Sequence, residues 1–209
     1  ARISQLVLLL EGNVGSPKRV SRVDLTTNKY GFSQYYNDNI EIAHSESCKH
    51  GELSEKFVES VLVHETAHNF YGQLTEVNEL DLLKEFKSFV NLNLSDGNFG
   101  KRRFLGRFAG ESSWTYDEGC VMSIFMERYY RGESPVAGHP WENFSELFAS
   151  ATAIMICYAN ELLSKTEKLP TEQDKTLARE TMSKIVGLYQ RYCKTGTMMF
   201  PREILTYMS

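Results

Sequence analysis

The stretch Val61-Leu62-Val63-His64-Glu65-Thr66-Ala67-His68-Asn69-Phe70 decides how this chain is read. Around it Phe57, Val61, His64, His68 and Tyr71 recur at steps of three and four, the spacing that places residues on one stripe of an α-helix. Ser54 is suited to cap the start of that helix and Gly72 to end it. Residues four apart stand one turn above each other, so the two imidazoles can reach one Zn(II) at about 2.0–2.1 Å. Glu65 lies about 100° further round the helix, where its carboxylate faces a metal-bound water rather than the metal. No other charge interrupts the segment, so the helix is expected to be buried, and two histidines with a glutamate in a buried helix point to coordination. A core helix carrying two hydrogen-bonded histidines and a coincidental glutamate is the competing reading.

Working outward, 209 residues with 42% hydrophobic content suit one domain, 1–209, with an N-terminal lobe of about 1–72 and a helical C-terminal lobe of about 73–209. The formal charge of −4 argues against nucleic-acid binding, which needs a basic surface to displace counterions. No apolar run, Leu6 to Leu10 included, approaches the roughly 20 residues of a membrane span. Cys48, Cys120, Cys157 and Cys193 form no C-x-x-C pair, which leaves both thiols and two disulfides open. Strands are expected only in the first quarter, at Gln5–Glu11 and Asn39–His44. Further on, helices are expected over Thr75–Val90, Glu118–Tyr130, Trp141–Ser164 and Glu172–Tyr192. Asn91–Thr115 reads as a loop, and its Lys101, Arg102, Arg103 and Arg107 as a solvated cluster. Together these elements predict an α+β fold, with a small N-terminal mixed sheet packed on the His64 helix and a helical C-terminal lobe.

A catalytic zinc site takes three protein ligands and keeps a fourth position open, so a third donor must come from outside the helix. The motif resembles that of the zincin metallopeptidases. Tyr71 and Leu74 stand where the metzincin branch has glycine and a third histidine, which excludes that branch. His139-Pro140-Trp141-Glu142-Asn143-Phe144-Ser145-Glu146-Leu147-Phe148 is similar to the N-P-x-E-D-F-A-E-x-F stretch of glutamate zincins related to anthrax lethal factor and the clostridial Pro-Pro endopeptidases. That resemblance implies Glu142 as third ligand and Glu146, one turn later, as an outer partner orienting a ligand histidine. Trp114-Thr115-Tyr116-Asp117-Glu118-Gly119-Cys120 is similar to the ligand helix of zinc aminopeptidases and makes Glu118 the alternative third ligand. The lethal-factor group carries an oxyanion-stabilising tyrosine seven residues before the ligand glutamate. Pro135 stands there, so Tyr130 is the preferred substitute, with Tyr129 and His139 nearby.

The resemblance therefore implies a zincin-like endopeptidase with one catalytic Zn2+, a protein or peptide substrate and Glu65 as general base. It also implies export or delivery into a host cell, since relatives with this pattern are mostly bacterial secreted proteases or toxins. Two alternatives stand beside it: a zinc aminopeptidase using Glu118, and a non-catalytic zincin-like binding module. His44, Cys48 and His50 match no established metal-site spacing, and Ile40 to His44 are expected at the rim of a substrate cleft.

Overall fold

The computed structural model describes the backbone of residues 19–24, 34–36, 39–44, 55–76, 81–108, 111–116, 119–126, 128–131, 134–137, 143–193 and 199–209, and side-chain packing within 59–75, 81–101, 119–126, 143–193 and 199–209. Helix α1 (Glu55–Glu76) contains no proline and runs four residues past Gly72, the expected end. Every residue from Glu59 to Ala67 is buried, so this part of α1 has no solvent face. α2 (Asp81–Ser95) is amphipathic, with Leu83, Phe86 and Val90 turned to the core. It closes at Gly97, whose φ of 72° favours glycine. A short α3 (Val121–Ile124) pushes Val121, Met122, Ile124 and Phe125 inward.

Helix α4 (Phe144–Cys157) is buried from Leu147 to Cys157. Its small residues Ala149, Ser150, Ala151 and Ala153 let a neighbouring backbone approach closely. At Tyr158 the chain bends by 106° into α5 (Ala159–Glu167), and among the described residues no single helix is long and apolar enough to cross a membrane. α6 (Glu172–Tyr192) starts at a full capping box, Thr171 with Asp174, and spans the range its apolar stripe predicts. α7 (Arg202–Met208) closes the chain over α5 and α6.

Among the described residues the most extensive packing is α1 against α4. Phe70 of α1, Phe148 of α4 and Tyr189 of α6 form a stack of rings, with centroids 4.4 Å apart for Phe70–Tyr189 and 5.4 Å for Phe148–Tyr189. Tyr71 and Phe86 close on Phe148 from the side, and Phe200 meets Tyr189 edge-on. Lys184 of α6 reaches Glu85 of α2 at 2.5 Å, a surface tie of the kind worth little beside this core.

Along the backbone, β1 (Arg19–Asp24), β2 (Gln34–Tyr36) and β3 (Asn39–His44) align in the order β1-β3-β2. Beyond them lie two hairpins, β4 (Arg102–Phe108) with β5 (Glu111–Tyr116), and β6 (Arg128–Arg131) with β7 (Ser134–Ala137). The expected α+β class is nevertheless corrected: where packing is described the chain is 81% helical, with no strand and no sheet. Within the described packing the cover on α1 is helical, from α4, which is buried from Leu147 to Cys157. The expected loop at Asn91–Thr115 is corrected to the end of α2 followed by the β4–β5 hairpin, and the expected helix at Glu118–Tyr130 to α3 followed by β6. The expected strand Gln5–Glu11 lies outside the described residues.

Truncating Phe148, which is fully buried at the ring stack, should cost about 3–5 kcal/mol in Phe148→Ala by urea unfolding. Burial also pushes the Tyr71 phenol up to about 12 from its ordinary 10.0. Its contribution to stability is intact below the unfolded value and is lost as pH rises from there through the folded one. Tyr71→Phe should therefore show a shallower loss of stability between pH 10 and 12 than the native chain; an equal slope would remove Tyr71 as its source.

Candidate metal centre

The first turn of α4 is set by Asn143, whose side chain accepts a hydrogen bond from the Glu146 backbone N–H at 2.9 Å. Helix therefore begins at Phe144 rather than at Trp141 as expected, and Ser145 and Glu146 fall in its first turn. A carboxylate is favoured there, because the unpaired N–H groups of a helix start carry partial positive charge. α1 crosses this turn with His64 and His68, which stand on one face of it.

His64 Nε2 and His68 Nε2 approach to 2.9 Å, with their rings at 75°. The Glu146 carboxylate straddles the pair, placing Oε2 3.4 Å from His64 Nε2 and Oε1 3.2 Å from His68 Nε2. A single proton can lie on only one edge of this triangle, so no one proton satisfies all three contacts with a linear hydrogen bond. A cation at the common focus satisfies all of them. Four ligands at about 2.0–2.1 Å in tetrahedral array are separated by about 3.3 Å, close to the spacings found here. His64, His68 and Glu146 are thus a group that could hold a metal ion.

The His64 side chain is 9% exposed, and those of His68 and Glu146 are 20% and 16% exposed. His68 Nδ1 lies 2.7 Å from Ser145 Oγ. Glu65, next to His64 on α1, is buried at 8% exposure.

Of the residues singled out in the sequence, His64, His68 and Glu146 come together, and Glu146 contacts both converging nitrogens instead of only an outer ring atom. Glu142, Glu118 and His139 lie outside the described residues, as do Cys48 and His50. Tyr130 stands on β6 directly across from Pro135 in the β6–β7 register, and Tyr129 across from Val136. His44 ends β3, in register with Asp24. Ser145 was not singled out. The signal that points to it is Asn143-x-x-Glu146, a helix-start pattern that places residue 145 in the same first turn as the glutamate.

Metal titration separates a ligand from an outer partner. Loss of an outer partner weakens binding by about 10–100-fold, so Glu146→Gln, as a ligand variant, should exceed that range. Glu142→Gln should stay below it; the reverse ranking would restore Glu142 as third ligand. No family model, curated protein or solved structure matches the chain.

Proposed function

We propose that this chain is a zinc-dependent peptidase in which His64, His68 and Glu146 hold the ion and Glu65 is the general base. The observation that carries this reading is the convergence of two imidazoles and one carboxylate on a single point of a buried H-E-x-x-H helix. Two nitrogens and one oxygen are a donor set that suits zinc, and the three ligands found among the described residues would leave a fourth position for chemistry, unlike the closed four-ligand sets of structural zinc. The partial exposure of His68 and Glu146 suits the same role better than complete burial would, since a substrate must reach the ion.

Zinc held there would lower the pKa of a coordinated water towards about 7 and polarise the scissile carbonyl. Glu65 follows His64 directly, and its position about 100° round α1 separates it from the ligand stripe. Its carboxylate takes a proton from the attacking water and delivers it to the leaving amine, the part a positioned carboxylate plays in peptide hydrolysis. Burial of Glu65 keeps competing solvent from that proton. Tyr130 is the proposed donor to the developing oxyanion, as the substitute for the tyrosine that the resemblance places where Pro135 stands. Cleavage inside a chain is preferred to removal of a terminal residue.

The test pairs metal content with hydrolysis of an internally quenched, N-blocked peptide library. Native protein should hold one zinc and cleave; Glu65→Gln should keep the zinc and lose at least about 100-fold in turnover. Near-normal turnover in Glu65→Gln removes the base assignment. Activity confined to unblocked peptides would make the enzyme an aminopeptidase, and zinc binding with no cleavage of either kind would leave a binding module.

A further inference from the structure

We propose that Ser145 is a positioning residue of the metal centre, holding His68 in the tautomer and ring orientation that present Nε2 to the ion. This rests on the metal reading above. The contact is short, 2.7 Å between Ser145 Oγ and His68 Nδ1, and it links residues 77 apart in sequence. His68 Nε2 is the nitrogen that faces His64 and Glu146. For that nitrogen to offer a lone pair, the ring proton must sit on Nδ1, and Nδ1–H then donates to the hydroxyl oxygen of Ser145.

A local structural role for this hydroxyl is already filled by another residue. Asn143 caps α4 and accepts from the Glu146 N–H, so Ser145 is not needed to start the helix. Alanine has a higher helix propensity than serine, and removing the hydroxyl should leave α4 as stable or slightly more so. The same turn delivers both groups: Glu146 to the ion side of His68 and Ser145 to its far side. His68 is thus gripped at both nitrogens by consecutive residues.

The chemistry of the partner also bears on the ion. Ligand histidines are most often backed by a carboxylate, a carbonyl or a water, and a carboxylate raises the basicity of the ring. Serine orients the ring without adding charge. With one carboxylate and two neutral imidazoles as ligands, the centre keeps a net positive charge and therefore its strength as an electrophile.

The experiment compares the full 209-residue chain with Ser145→Ala and Ser145→Thr. Zinc affinity is read by chelator competition, the visible spectrum with Co(II) in place of zinc, and thermal unfolding of the metal-free proteins. Ser145→Ala should bind zinc about 10–100-fold more weakly and shift the Co(II) bands, while the metal-free protein still unfolds cooperatively within a few degrees of the native temperature. Ser145→Thr, which keeps the hydroxyl, should recover most of the affinity and the native spectrum. Native-like affinity and spectrum in Ser145→Ala overturn the role of Ser145 and leave the metal reading intact. Failure of the native chain itself to take up zinc or cobalt overturns both. Equal loss in Ser145→Ala and Ser145→Thr also counts against the hydroxyl.

Discussion

The structure depends on the crossing of α1 and α4. Each is buried on all sides over much of its length, Glu59–Ala67 in the first and Leu147–Cys157 in the second. Helices of this kind cannot be stabilised by turning a polar face to water, so they hold only by mutual packing and by the elements that enclose them. At one end of the crossing the contact is aromatic, Phe70 and Tyr71 against Phe148. At the other it is polar, His64 and His68 against Ser145 and Glu146. The apolar end supplies the rigidity on which the polar end relies, since a ligand set misplaced by an ångström loses much of its function.

Placing a carboxylate and two imidazoles between such helices is costly unless each is matched. Three devices match them here. The first turn of α4 offers positive potential to Glu146, Ser145 engages the outer nitrogen of His68, and the inner nitrogens converge with the carboxylate. Thr66, also buried on α1, follows a simpler pattern, its hydroxyl donating to the Leu62 carbonyl at 2.7 Å. Local satisfaction of this sort keeps the helix intact without competing for the centre.

The legibility of these elements in the sequence varies with the kind of signal. α6 is legible to its end residues, because a capping box, an apolar stripe and its charges all agree. The His64 helix is legible from its motif, but its end is not: Gly72 weakens a helix by about 1 kcal/mol, and buried Tyr71 and Leu74 on either side override that. The hairpin in 102–116 is hidden because strand pairing joins residues distant in sequence, and a register shift between Phe104 and Gly106 breaks the alternation. Val121 to Met126 is so uniformly apolar that it carries no period, and a short run of that type cannot be distinguished from a longer helix. At the centre, residue types are legible and roles are not: whether Glu146 faces the inner or the outer nitrogen of a histidine is decided by where α4 begins.

That beginning has an evolutionary corollary. Because each residue added to a helix turns the next by about 100°, Asn143 acts as a registration mark for Ser145 and Glu146. Chain length in the connections between α1 and Asn143, outside the core helices α2 and α3, is free to vary, since an insertion there is absorbed before the mark. A single residue gained or lost between Asn143 and Glu146 would instead swing the carboxylate away from both histidines. Relatives of this protein should therefore differ widely in the length of the connection that precedes the cap and hardly at all in the three steps after it.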